Sequence, residues 1–202
     1  MQTVAFSGGP REGLGKKATK QIRQQGLIPC VMYGGNEVRH FTTVVNDVKA
    51  LIYTPDFKTA DITVGGNTYS CIVKEVQYHP LTDSILHIDF LQLVEGTPVK
   101  VELPVRFYGD SPGLKVGGKL LQNLRRIKIK TTPEHLVDEL KVDISGLELG
   151  QAVRVKDVDI TDNMEIMVSL ATPVAVVEVP RALKSAASAA AKEGGAEAAV
   201  AE

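Results

Sequence analysis

The chain has no Trp, and aromatic residues make up only 5% of its 202 residues. Any core must therefore be built mainly from Val, Leu and Ile. Only two cysteines occur, Cys30 and Cys71. Neither sits in a CxxC pair, and a chain of this length does not need stapling. Both are expected to be reduced, buried and hydrophobe-like, as in an intracellular protein. No apolar run approaches the roughly 20 residues of a membrane span. The start "MQTVAFSGGPREG" lacks the apolar stretch of a secretory signal. A soluble protein with no membrane partner is expected. No exposed apolar stripe stands out, so a monomer is expected too.

Signatures of catalysis are equally scarce. There is no GxSxG, no GxxxxGK[ST] and no GxGxxG. The Gly-Gly pairs of "YGGN", "VGGN" and "VGGK" are better read as turns that use positive φ. His40, His79, His87 and His135 are scattered at spacings that match no zinc signature. A His87/Asp89 pair alone offers neither nucleophile nor metal. No enzyme, cofactor or metal site is expected.

Strong net charge is also missing, since the chain is formally −1. The distribution is less even than the total. Within residues 1–30, five Lys or Arg face one acid, a local +4, whereas residues 94–180 hold 11 against 13. A local basic patch is the informative feature, not the isoelectric point.

The periodicity places that patch on a helix. "LGKKATKQIRQQ" (14–25) puts Leu14, Ala18 and Ile22 on one stripe and Lys16, Lys20 and Arg23 on the opposite ridge. Gly26 ends the helix at its C′ position, and Pro29 prevents its resumption. The ridge can meet successive phosphates, although a solvated helix face gives the same pattern. Strands are expected at 30–35 and 38–45, then a short helix at 47–53 capped by Asn46. A hairpin follows at 61–76 around Gly65-Gly66-Asn67. In "SILHIDFLQL" (84–93), Leu86, Ile88 and Phe90 face one way, and His87 and Asp89 the other. A carboxylate facing nucleic acid makes sense only if it reads a base edge; a solvated strand face is the plain alternative.

After "VEGTP" (94–98) the texture changes. "VKVELPVRFYG" alternates Val99, Val101, Leu103, Val105 and Phe107 inward. Short strands with Gly, Pro, Asn or Asp between them then indicate a sandwich or barrel. In "LRRIKIK", Arg126, Lys128 and Lys130 make one basic face. It could touch RNA or acidic protein, but lysines guarding an edge strand are the simpler account. Residues 181–202, with ten Ala in 22, have little to bury and are expected to be mobile.

Two strings in this order, "REG…GKKATKQIRQQGLIPCVMYGG" and "VQYHPLTDSILHIDF", resemble the bacterial large-subunit ribosomal protein twenty-five family. "ELPVRFYGDSPGLKVGGKLLQ…DISGLELGQAVRVKDVDI" resembles the second domain of its long form, the general stress protein CTC type. The resemblance implies a mainly β fold with a few helices. Residues 1–94 would form a six-stranded β-barrel with helices, residues 95–180 an all-β domain, and residues 181–202 the tail. It also implies binding to the loop E region of 5S rRNA, next to other large-subunit proteins and rRNA in the ribosome of the cytoplasm. The implied contacts are Arg11, Lys16, Thr19, Lys20, Arg23, Tyr33, Lys74, Gln77, His87 and Asp89. Lys20 and Gln21 stand where this family tends to carry arginines, and lysine cannot fork bidentately. A different reading, a stress-induced protein adaptor working through the second domain, rests on the family's stress-protein name.

Overall fold

A computed structural model describes residues 2–11, 13–160 and 163–180. The expected Ala-rich tail, 181–202, lies outside the described residues. The chain divides into two compact units. One runs through Pro104 and adds Lys128–Glu139 and residues 163–167; the other holds Val105–Ile127, Leu140–Ile160 and residues 168–180.

The first unit is built on a closed six-stranded barrel. Its strands are β1 (Thr3–Pro10), β2 (Leu27–Tyr33), β3 (Arg39–Val44), β4 (Thr59–Val64), β5 (Asn67–Tyr78) and β6 (Ile85–Gln92). They close in the order β1-β3-β2-β6-β5-β4, with β1 and β4 parallel and β2 and β6 parallel. Closure removes the exposed edges that would otherwise recruit other strands. The β4–β5 hairpin turns on Gly65 and Gly66, at φ 61° and 88°. Two successive positive φ values are what a two-residue I′ turn requires, so the expected hairpin is present. Pro29 lies inside β2, which begins before the expected residue 30. It pairs with Thr42 of β3, while pairing with β6 starts only at Cys30. Its missing N–H therefore costs no bond on the β6 side.

Phe6, Phe41 and Phe90 stack in the barrel core, with centroids 6.0 and 5.7 Å apart. Ile28, Met32, Ile62 and Ile88 pack around them, all at most 2% exposed. Cys30 and Cys71 are buried free thiols in this core, as expected. Burial raises both thiols, Cys71 to about 12, so neither is a nucleophile at neutral pH.

Two helices adjoin the barrel. α1 spans Lys16–Gln24, shorter than the expected 14–25, because Gly15 at φ 101° is its N-cap. Gly26, at φ 77°, follows the C-cap as expected. Leu14 falls outside the helix and is exposed, so the apolar stripe reduces to half-buried Ala18 and Ile22. α2 spans Val45–Ile52, and Asn46 does not cap it. The helix starts straight from β3 with Val44 as the extended N-cap, which leaves Asn46 inside the first turn.

Beyond the barrel come β7 (Val99–Tyr108), β8 (Lys119–Gln122), β9 (Arg126–Thr131) and β10 (Leu140–Asp143). β11 (Ala152–Arg154), β12 (Glu165–Ile166) and β13 (Pro173–Glu178) follow. They form two open sheets, ordered β10-β7-β9-β12 and β11-β13-β8. β7 buries Val99, Val101, Leu103 and Val105 in alternation, as its sequence demands. The turn-rich connection after β7 contains one helical turn, α3 (Pro112–Lys115), where Pro112 opens the helix. Among the described residues, no helix is long and apolar enough to cross a membrane.

Candidate nucleic-acid interface

The parallel β2–β6 pair and the antiparallel β5–β6 pair fix the outer face of the barrel. Val31 of β2 lies opposite Asp89, and Asp89 lies opposite Glu75 of β5. One step along, His87 lies opposite Gln77. The side chains of Ile88 and Phe90 fill the core between these positions, so His87 and Asp89 must point outward. Leu86, expected on the inner face, is only half-buried; Ile85 takes the core position because the β5–β6 register shifts at Gln77/Tyr78.

His87 Nδ1 and an Asp89 carboxylate oxygen are 2.7 Å apart, with side chains 23% and 27% exposed. An ionised carboxylate can only accept, so Nδ1 carries the proton of this bond and Nε2 is left for a partner. Tyr33 closes β2 on the same side. Partial burial and the nearby Asp89 and Glu75 raise its phenol, which stays protonated and able to donate.

The basic residues lie beside this polar centre, on α1 and the loop before it. Arg23 of α1 donates from Nε to the Leu86 carbonyl at 3.1 Å, tying the helix to β6. Arg11 donates to the Gly13 carbonyl at 2.9 Å and to the Thr19 hydroxyl at 2.8 Å. That hydroxyl donates in turn to the Gly15 carbonyl at 2.7 Å. The chain between β1 and α1 is thus held by the side chains at its two ends. Lys16 and Lys20 are exposed on α1, and among the described residues neither forms an ion pair.

The structure brings nine of the ten expected contact residues to α1, its preceding loop and the β2–β6–β5 face. Lys74 stands apart. It is the extra residue of a bulge between Val73 and Glu75, and its ammonium donates to the Lys100 carbonyl at 3.0 Å. The same bulge yields a residue that the strand pattern hid. Tyr69, Cys71 and Val73 point inward at odd positions; after the bulge, Val76 points inward instead. Glu75 is thereby placed on the outer face, directly opposite Asp89. The clue in the sequence is an acid falling on the inward phase of an apolar strand.

"LRRIKIK" resolves differently. β9 lies between β7 and β12, so lysines guarding an edge strand are not the explanation. Lys128 pairs with Glu102 at 3.3 Å and Lys130 with Glu165 at 3.1 Å, making a salt-bridged sheet face. Among the described residues, no cluster of three or more His, Cys, Asp or Glu could hold a metal ion.

The barrel face therefore carries cations on α1 and its preceding loop beside the polar side chains of β5 and β6, and comparisons with known proteins define the class. The model of the Ribosomal L25p family matches residues 7–90. That of the ribosomal protein TL5 C-terminal domain matches residues 98–181. Large ribosomal subunit protein bL25 of Amoebophilus asiaticus is 40% identical over 187 residues, 93% of this chain and 95% of its own length. The protein of the same name from Cytophaga hutchinsonii is 40% identical over 193 residues, covering 96% of this chain and all of the relative. That from Bacteroides fragilis is 38% identical over 176 residues, 87% and 89% of the two chains. The chain belongs to the bL25 family of large-subunit ribosomal proteins, in the long form with a TL5-type second domain.

Proposed function

We propose that this chain binds 5S rRNA in the large ribosomal subunit, at the loop E region, through the outer face of its barrel. Arg11, Lys16, Lys20 and Arg23 position the RNA through phosphates, which carry no sequence information themselves. Thr19 and Tyr33 meet ribose hydroxyls or phosphates. Gln77, His87 and Asp89 read base edges and 2′-OH groups in a wide, shallow minor groove. Lys74, on the bulge, reaches only a phosphate at the margin. Residues 1–94 carry this activity, and residues 95–180 meet neighbouring ribosomal protein or rRNA.

The observation that carries the reading is the His87–Asp89 pair, 2.7 Å apart on the strand to which Arg23 ties the basic helix α1. A carboxylate there weakens general phosphate binding and is useful only against hydrogen-bond donors. The test is fluorescence anisotropy of the full chain with a loop E fragment and with a plain RNA duplex, across a salt series. Tight binding that prefers the fragment and weakens steeply with salt is expected. Equal, weak binding to both RNAs would overturn the reading.

A further inference from the structure

Glu75 is absent from the contact set above, yet its placement is the least expected on the face. A bulge spends one residue, Lys74, to turn Glu75 outward. The register then pairs Glu75 with Asp89 across the two strands, and both carboxylates act on the Tyr33 phenol. Like charges facing each other across strands destabilise a sheet. Asp89 has His87 as a partner. Glu75 is exposed and, among the described residues, makes no hydrogen bond or ion pair that would offset the repulsion. The fold thus tolerates a like-charged pair on the face that α1 adjoins, with Arg11, Lys16, Lys20 and Arg23 on that helix and the loop before it.

Resting on the RNA-binding reading, we propose that Glu75 is a specificity-determining residue of this interface. With Asp89 it forms an acceptor-only centre that accepts hydrogen bonds from 2′-OH groups and guanine 2-amino groups. The same centre repels any RNA whose phosphates would cross it. Such a residue works by rejecting wrong partners as much as by holding the right one. The cations draw in any RNA; the two carboxylates admit only a helix that presents donors at their position. Tyr33 sits beside both carboxylates, whose charges help to raise its phenol, so it reports the presence of Glu75 without RNA.

The test is Glu75→Gln in the full chain, which keeps the shape and an acceptor but removes the charge. Binding to the plain duplex should tighten by about twofold, as one repulsive charge is lost. Binding to the loop E fragment should weaken. The preference for the fragment should fall at least about fivefold. In the free protein, the Tyr33 phenol should titrate at lower pH than in the wild type. If both RNAs gain equally, Glu75 is a bystander charge and the inference is overturned. An unmoved Tyr33 titration overturns it as well, because the carboxylate would then not face this centre. A wild-type chain with no preference for the fragment overturns the 5S rRNA reading itself, and this inference with it. A wild-type preference that survives Glu75→Gln overturns this inference alone.

Discussion

Two parts of the molecule carry the same motif, basic residues at regular spacing on an exposed face, and treat it in opposite ways. On β9, Lys128 and Lys130 are each met by a carboxylate of a neighbouring strand. On α1, Lys16 and Lys20 have no acidic partner among the described residues, and Arg23 engages only its Nε, with a carbonyl. The acids differ likewise. Asp143 of β10 accepts from both the backbone N–H and the hydroxyl of Ser145, at 2.8 and 2.6 Å. Glu75 accepts from neither backbone nor side chain among the described residues. A charged face whose members satisfy one another is finished as it stands. One whose members do not is open to an outside partner, and on the barrel face the proposed RNA would be that partner.

Charge removal should therefore separate the two parts most sharply. The triple variant Lys16→Ala/Lys20→Ala/Arg23→Ala should weaken RNA binding by on the order of 10²- to 10³-fold near physiological salt. Its log–log salt slope should fall by roughly 2 to 3, one step per lost phosphate contact. Lys128→Ala/Lys130→Ala should change RNA affinity less than about twofold, because those charges are already paired. Anisotropy titrations at several salt concentrations measure both. An equal loss in the two variants would erase the distinction between the faces.

Asp89→Asn is the next largest change. It should cost about 1–3 kcal/mol of discrimination between the loop E fragment and a plain duplex. Total affinity for the duplex should not fall, since a negative charge has been removed. Competition binding with the two RNAs measures the ratio. A ratio that stays put would mean that Asp89 only orients His87.

Much of this face could be read from the sequence, for physical reasons. The basic ridge of α1 needed only a 3.6-residue period, and the outward placement of His87 and Asp89 only a period of two. The closed barrel came with the family resemblance rather than from the strand pattern. What was hidden depended on register. The bulge at Lys74 reverses the phase of β5; its one trace, an acid on the inward phase of an apolar strand, does not fix where the reversal falls, so a period of two alone leaves Glu75 off the outer face. The place of β9 inside its sheet was hidden for the same reason. Strand order is settled by β7 and β12, which are distant in sequence, so its lysines suggested an exposed edge. Asn46 failed as a cap because β3 runs into α2 with no loop between them.

The smallest effect concerns Asp143, the finished counterpart of Glu75. The two hydrogen bonds from Ser145 favour the ionised carboxylate and hold its pKa below the ordinary value. A folded pKa lower than the unfolded one gives stability that is present above the unfolded value and is lost as pH falls through the folded value. Ser145→Ala removes the hydroxyl donor but keeps the backbone N–H, so the pKa should rise only part of the way back. An NMR titration of the Asp143 side chain reads this directly, and RNA binding should not change. The group is fully exposed, so solvent screens it and its titration should barely move the unfolding midpoint between neutral and mildly acid pH. A large loss of RNA affinity in Ser145→Ala would show that an internally satisfied carboxylate can still serve a partner. The contrast between the two faces would then lose its basis.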